Sequence, residues 1–134
     1  MDTPTPVAGR ARVTVRLLEI EALRSADLIE PGEWTLRLWI NGLERWQTEG
    51  TLHLQSGKTR SLAAEIVTEV PEFTDVLEME VKAREHDLLT PDDSAEGKVV
   101  LGRSTGFVVP GGSFDVTGRG AHLRLRVETV VEEI

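Results

Sequence analysis

Residues 75–86, DVLEMEVKAREH, alternate between apolar and charged side chains, and this alternation constrains the fold more than any other feature. A period of two is typical of a strand with one buried face, whereas an amphipathic helix has a period of 3.6. The stretch 121–130 alternates in the same way. The predicted inward-facing side chains are Leu77, Met79, Val81, Ala83, Leu123, Leu125 and Val127.

The first apolar stretch changes its parity halfway along. Val13, Val15 and Leu17 lie on one side of a strand, but Leu18, Ile20 and Ala22 belong to the other side. One flat strand cannot bury both sets. We therefore predict a β-bulge near Leu17, because the extra residue of a bulge resets the alternation.

The dipeptide Asn41-Gly42 predicts a β-hairpin. Asn and Gly tolerate the positive φ angles of a type I′ turn, whose twist matches that of the flanking strands. Gly50 is a candidate break in the strand that follows the hairpin. In the strand before it, Trp34 shares parity with apolar neighbours and is predicted to be buried, whereas Trp39 is predicted to lie on the outer face.

Residues 59–70, TRSLAAEIVTEV, fit two interpretations. Their apolar side chains occur at helical spacings, yet Leu62, Ala64, Ile66 and Val70 also share strand parity. We favour a strand because the neighbouring segments are strands, and Pro71 ends the segment in either case.

These patterns predict an all-β chain. The expected strands are 11–22, 33–40, 43–55, 59–70, 75–86, 98–102, 107–116 and 121–130. Eight strands without a convincing helix imply an eight-stranded antiparallel two-sheet β-sandwich. We expect residues 1–10 to form a flexible N-terminal leader and residues 11–134 to form a single domain.

Charge and composition exclude several classes of function. The chain has 15 basic and 23 acidic residues, and its formal charge of −8 argues against a nucleic-acid partner. The absence of cysteine excludes disulfides, thiolate nucleophiles and thiolate zinc sites. No apolar run of about 18 residues and no signal-peptide core occurs, so we expect a cytoplasmic protein.

Three connections are expected at one end of the sandwich, because alternate strands of an antiparallel sandwich run in opposite directions. These are 25–33, 55–58 and 85–97, and acidic side chains concentrate in the first and the last. A bound hard cation, neighbouring basic groups or solvent would relieve the repulsion among them. The candidate calcium ligands are Asp27, Glu33, Glu85, Asp87, Asp92 and Asp93.

Several of these segments resemble C2 domains. The strand DVLEMEV running into Glu85-His86-Asp87, then TPDD and GKVVLG, is similar to their third-loop region. DLIEPGEWTLRLWI resembles their first loop and the strand after it, and Trp46-Gln47-Thr48 resembles the end of the next strand. The resemblance covers residues 11–130. It implies an eight-stranded sandwich of the permuted topology, with the last strand, 121–130, at an edge.

The resemblance also implies two kinds of function. Calcium-dependent C2 domains bind phospholipid through ions held between the first and third loops, whereas many others bind no calcium and dock proteins. Glu85 and Asp87 correspond to the family's Asp-x-Asp pair, Asp92 or Asp93 to its later acid, and Asp27 to a first-loop ligand. Glutamate stands at two positions where aspartate is usual, and this favours the calcium-independent interpretation.

We therefore predict a non-catalytic binding module, since no nucleophile-elbow motif is present. It is expected to act in protein–protein interaction or assembly through its loops and an exposed sheet face. The residues predicted to contact the partner are Trp39, Lys58, Leu88 and Leu89. The alternative is a calcium-dependent domain for phospholipid or anionic membrane, with ions held by loops 25–33 and 85–97. Only this alternative includes a cofactor, and that cofactor is calcium.

Overall fold

The computed structural model describes residues 5–24, 32–86 and 94–134. The nine strands of these residues are β1 (Ala11–Arg24), β2 (Gly32–Ile40), β3 (Leu43–Gln47), β4 (Leu52–Leu54), β5 (Thr59–Val70), β6 (Val76–Glu85), β7 (Ser94–Gly102), β8 (Ser113–Gly118) and β9 (Ala121–Glu133). Two short 3₁₀ turns, Arg103–Thr105 and Pro110–Gly112, lie between β7 and β8. Within the described ranges, no helix has the length and hydropathy needed to cross a membrane.

The strands form two antiparallel layers. One layer has the order β5-β1-β9-β8, and the other has the order β7-β6-β2 with β3 and β4 both pairing with β2. Among the described residues, only two pairs, Ala95 with Gly118 and Glu96 with Thr117, join β7 to β8 and so connect the layers. The predicted all-β sandwich is confirmed.

The core lies between the two layers. The inward-facing side chains predicted from the alternation of β6 and β9 are all buried. The largest side chains that are almost completely buried include Trp34, Phe107, Leu17, Ile20, Leu36 and Leu38. Trp34 is therefore a core residue, as its parity predicted.

The predicted bulge in β1 is confirmed. The register of β1 shifts between Leu17 and Glu19 against both of its neighbours, β5 and β9. Leu17, Ile20 and Ala22 are fully buried, but the expectation that Leu18 belongs to the second buried set is wrong: Leu18 lies at the register shift and is 37% exposed. The bulge lets one long strand bury two apolar sets of opposite parity.

The predicted turn at Asn41-Gly42 is also confirmed. Asn41 has a φ of 49° and Gly42 a φ of 81°, as a type I′ turn requires. Gly50 has a φ of 66° and separates β3 from β4, so the long third strand of the prediction is two strands.

Residues 59–70 form the strand that we favoured, and the helical alternative is wrong. β5 pairs with β1 along most of its length, and Ile66, Thr68 and Val70 are buried on alternate positions. Ala63 interrupts the regular strand with a φ of 50°.

Three boundaries or positions differ from the prediction. β7 begins at Ser94 instead of 98, because Gly97 packs against the β8 backbone and belongs to the sheet. Residues 107–112 are not a strand, since Phe107 and Gly111 have positive φ angles, and β8 starts at 113. The last strand is not at an edge: β9 lies between β8 and β1, and β5 forms that edge instead. Alternation shows that one face of a strand is buried, but it does not show how many neighbours the strand has.

Part of the segment predicted as a flexible leader packs against the sandwich. Val7 is buried, and its backbone nitrogen donates to the Arg103 carbonyl oxygen at 3.1 Å. The backbone nitrogen of Ala8 donates to Glu133 Oε1 at 3.0 Å.

Candidate functional site

A groove crosses the outer face of β2, β6 and β7. Its volume is about 320 Å³. Its main lining side chains are Arg37 and Trp39 from β2, Lys82 and Arg84 from β6, and Glu96 from β7. We call it the Trp39 groove. In each strand the residues next to these point inward and are buried or half-buried, so the groove belongs to the solvent side of a sheet whose other side is core.

Strand register brings the groove residues together. Arg37 lies opposite Lys82, and Thr35 lies opposite Arg84, in the antiparallel pairing of β2 with β6. On the other side of β6, Lys82 lies opposite Glu96. Directly opposed side chains on one face of a sheet are in contact range, so three strands contribute to one surface.

Trp39 is half-buried and contacts two cations. The guanidinium carbon of Arg37 and the ammonium nitrogen of Lys82 each lie 5.2 Å from the centre of the Trp39 ring. Cation–π contacts at such a distance contribute about 0.5–1 kcal/mol each at exposed sites. They hold the indole in one orientation on the outer face, where the sequence had predicted it.

Each of these cations also has a carboxylate partner. Arg37 donates two hydrogen bonds to Glu44, of 2.9 Å from Nε and 2.6 Å from Nη2. The hydrogen bond with Arg37 lowers the pKa of Glu44, and the hydrogen bond with Glu44 raises the pKa of Arg37. Lys82 Nζ lies 3.7 Å from Glu80 Oε1. The exposed Lys82–Glu80 pair is of the weak kind, so a ligand can exchange with it at small cost, whereas the bidentate pair with Glu44 holds Arg37 in place.

His86 closes the groove at the end of β6. Its backbone nitrogen donates to the Glu33 carbonyl oxygen at 2.7 Å, and its Nε2 lies 3.0 Å from Thr35 Oγ1. These two contacts fix the imidazole at the end of the sandwich that carries the 55–58 turn. We call this the loop end, and the opposite end, with the turn between β5 and β6, the far end.

Two of the predicted calcium ligands are among the described residues. Glu85 is 3% exposed and faces the interior beside Trp34, its partner in the β2–β6 register. Glu33 is on the opposite face of the sheet, exposed, with Oε1 3.9 Å from His53 Nε2. The two carboxylates therefore point away from each other.

The other predicted ligands, Asp27, Asp87, Asp92 and Asp93, lie outside the described residues. In residues 5–24, 32–86 and 94–134, no group of three or more His, Asp or Glu side chains is placed to hold a metal ion. The calcium site stays a prediction.

The predicted partner-binding residues do not all fall on one surface. Trp39 lies in the groove, but Lys58 lies on the other layer. There the Ala22 nitrogen donates to the Lys58 carbonyl oxygen at 2.9 Å, which ties the 55–58 turn to the end of β1. Leu88 and Leu89 lie outside the described residues.

The sequence interpretation missed the cations around Trp39. Arg37 shares parity with Trp39, and this signal was available in the sequence. Lys82 and Arg84 were identified only as the charged face of β6, because their position beside β2 depends on strand order and register.

Comparison with known proteins identifies the fold of this chain. No protein-family model matches the sequence, and no curated protein matches it significantly. The fold is similar to a C2 domain of plant Extended Synaptotagmin 1, with a TM-score of 0.57 and 13% identity over 99% of this chain and 98% of that chain. It is also similar to a C2 domain protein from Ramazzottius varieornatus, with a TM-score of 0.56 and 13% identity over 91% of this chain and 90% of that one. The chain has the C2 fold.

A third structure with a similar fold is human GIVD cytosolic phospholipase A2, with a TM-score of 0.59 and 24% identity. The match covers 95% of this chain but only 18% of the phospholipase chain. This C2-fold chain therefore spans a small part of that enzyme. Within the C2 fold described here, the Trp39 groove lies on the outer face of the layer formed by β7, β6 and β2.

Proposed function

We propose that this C2-fold chain is a non-catalytic binding module that holds an acidic segment of a protein partner in the Trp39 groove. The observation that carries the proposal is the half-buried Trp39 ring in cation–π contact with both Arg37 and Lys82. Trp and Arg are the residue types most enriched among side chains that dominate binding energy. A tryptophan already held in one orientation loses little conformational entropy when a partner binds.

The charge of the lining indicates the chemistry of the ligand. Arg37, Lys82 and Arg84 line the groove, and among the described residues Glu96 is the single carboxylate in the lining. Cations thus outnumber carboxylates in this lining on a chain whose net charge is −8, while Glu44 and Glu80 pair with Arg37 and Lys82 from outside the lining. A segment with a carboxylate next to an apolar side chain would contact the cations and the indole together.

Two synthetic peptides test the proposal. One carries leucine between two glutamates, and its counterpart carries glutamines at the same places. In an NMR titration of the labelled chain, we expect the glutamate peptide to shift the Trp39 indole N–H and the amides of residues 35–39 and 82–86. The glutamine peptide should bind more weakly, because it lacks the charge.

Trp39→Ala should abolish these shifts, whereas Leu43→Ala is the matched control. Leu43 is 64% exposed at the start of β3 and does not line the groove. The proposal fails if the glutamate peptide leaves the groove amides unshifted, or if it binds the Trp39→Ala chain as tightly as the parent.

A second function, calcium-dependent phospholipid binding, is supported by the position of Glu85. Its carboxylate lies between the layers at the loop end, directly before the acidic residues Asp87, Asp92 and Asp93. Calcium needs six to eight oxygens, which carboxylates, carbonyl groups and water would supply. The affinity expected of an incomplete aspartate set is about 10⁻⁴ to 10⁻³ M.

A melting experiment with calcium tests this second function. An ion that binds only the folded chain raises the melting temperature, so calcium at about 10 mM, tenfold above the weak end of that range, should raise it. Asp87→Asn with Asp93→Asn should remove the rise, whereas Glu21→Gln with Glu49→Gln should keep it. Binding to phosphatidylserine vesicles should appear only with calcium. An unchanged melting temperature of the parent chain would eliminate this function.

A further inference from the structure

Phe73 is an aromatic side chain that stands almost completely in solvent. It is 82% exposed, at the tip of the turn between β5 and β6. Within this turn the Thr74 nitrogen donates to the Pro71 carbonyl oxygen at 3.1 Å. A single exposed apolar residue is ordinary, so the surroundings of Phe73 decide what the exposure means.

The turn that presents Phe73 is held in place by Arg103. The guanidinium donates to the Pro71 carbonyl oxygen at 2.6 Å and to the Thr74 carbonyl oxygen at 2.9 Å. The backbone nitrogen of Arg103 donates to the Asp75 carbonyl oxygen at 2.8 Å. The backbone on both sides of Phe73 is therefore anchored to one residue, which lowers the entropy that a docking partner would have to remove.

Two valines extend the apolar surface next to the turn. Val76 is 48% exposed at the start of β6, and Val100 is 51% exposed on β7. Val76 lies opposite Gly102, two residues along β7 from Val100, so no side chain separates the two valines on the outer face. We call Phe73, Val76 and Val100 the Phe73 patch.

Acidic side chains stand beside Phe73 in the turn, and the Arg103 guanidinium that holds the turn donates to backbone carbonyl groups. Glu72 and Asp75 flank Phe73 in the turn, and neither forms an ion pair with a described residue. On the side toward the Trp39 groove, Lys98 Nζ lies 3.1 Å from Glu78 and 3.4 Å from Glu80, and the hydrogen bond with Glu78 raises the pKa of Lys98. Lys98 is thus paired with two carboxylates, and the Arg103 guanidinium is engaged by backbone carbonyl groups, whereas Glu72 and Asp75 are available to a partner.

We infer that the Phe73 patch is a second docking surface, which binds a protein with a basic rim around an apolar recess. Phe73 enters the recess, the two valines contact its border, and Glu72 and Asp75 pair with the rim. Complementary charge suits such a partner and disfavours an anionic membrane, which Glu72 and Asp75 would repel. The inference does not rest on the function proposed for the Trp39 groove, because the Lys98 ion pairs lie between the two surfaces.

Two cationic peptides test the inference with the full chain. In one, lysine alternates with leucine, and in the other, lysine alternates with alanine. We expect the leucine peptide to shift the amides of residues 72–76 and 100–102 in an NMR titration and to bind more tightly than the alanine peptide. Phe73→Ala should weaken binding of the leucine peptide about tenfold or more, as expected for a central aromatic anchor. Its melting temperature should equal that of the parent, because the side chain is exposed.

A matched pair of charge variants separates the patch from the general attraction of an acidic chain for a cation. Glu72→Lys with Asp75→Lys should abolish binding, whereas Glu21→Lys with Glu49→Lys, which changes the net charge equally, should retain it. Equal loss in both variants would overturn the inference. Shifts by the leucine peptide that are confined to other acidic segments would also overturn the inference. So would a chain that binds phosphatidylcholine vesicles through Phe73 but does not bind the leucine peptide. If Trp39→Ala does not abolish binding of the glutamate peptide in the groove experiment, the results expected for the Phe73 patch stay the same.

Discussion

Gly118 lies so close to Ser94 that a Cβ atom on Gly118 would overlap the Ser94 carbonyl oxygen. Gly97 stands in the same relation to the backbone of Asp115 on the opposite strand. Both glycines lie where β7 meets β8, the short pairing that connects the two layers. The layers can approach each other here because two residues lack side chains.

Alanine at either glycine should therefore destabilise the fold. For Gly118→Ala and Gly97→Ala we expect a loss of about 3 kcal/mol or more in the free energy of unfolding, since backbone atoms would have to move. Gly102→Ala is the control: its φ is −93°, and an added Cβ would meet only side-chain oxygens at 3.4 Å or more. Urea unfolding measures the three values. Equal losses in all three variants would contradict the role of close approach.

The two tryptophans of β2 should respond differently to truncation. Trp34 is fully buried, so Trp34→Ala should cost about 3–5 kcal/mol, the usual range for a large buried aromatic. Trp39 stands on the outer face, and Trp39→Ala should cost about 1 kcal/mol, mainly through its cation–π contacts. Chemical denaturation measures both. Similar losses would mean that both faces of β2 are equally important for stability.

Arg103 should contribute to stability as well as to the display of Phe73. Its guanidinium donates to four backbone carbonyl groups, those of Pro71, Thr74, Val7 and Gly9. Arg103→Ala leaves these acceptors to solvent, and we expect a loss of about 3 kcal/mol. Arg12→Gln is the control, because its ion pairs with Glu69 and Glu132 are exposed and each contributes less than about 1 kcal/mol. A loss from Arg103→Ala no larger than that from Arg12→Gln would refute this role.

Asp115 should titrate at lower pH than an ordinary aspartate. Arg124 Nε donates to Asp115 Oδ1 at 3.1 Å, and His122 Nε2 lies 3.4 Å away. The hydrogen bond with Arg124 lowers the pKa of Asp115 below its usual 3.8, and the nearby His122 imidazole lowers it further. A lowered pKa favours the folded state above the pKa of the unfolded chain, and this contribution disappears as the pH falls through the folded pKa.

Arg124→Gln should therefore raise the pKa of Asp115, as measured by NMR titration of its carboxyl carbon. Its effect on stability through Asp115 should be present at neutral pH and fade below about pH 4. Arg119→Gln removes the same charge from the turn beside β9 and should leave the Asp115 titration unchanged. A pKa of Asp115 that does not move in Arg124→Gln would show that another group lowers it.

Local patterns in the sequence predicted much of this fold. The alternation of Leu77, Met79 and Val81 identified β6 and its buried face, and the parity change after Leu17 located the bulge. Asn41-Gly42 identified the hairpin. Each of these features depends on residues that are close in sequence, because a strand buries alternate side chains and a turn needs particular φ angles wherever it occurs.

The candidate site could be predicted only in part. Trp39 was expected on the outer face, but the neighbouring Lys82 and Arg84 come from a strand more than 40 residues away, and only the pairing of β2 with β6 brings them together. Phe73 was not identified, since nothing in its sequence neighbourhood shows that Arg103 holds its turn from a distance.

The sequence by itself determined most of the strands and their buried faces, and that the chain is acidic without cysteine, but it missed 94–97 and wrongly assigned 107–112 to a strand. The tertiary structure decided the position of β9 between β8 and β1, the closeness of Gly118 to Ser94 and the composition of the Trp39 groove. The physical reason is the separation along the chain between the residues that interact. Alternation and turn propensity depend on residues close in sequence. Strand order and register depend on contacts between distant segments, and sequences with the same local pattern can arrange those contacts differently.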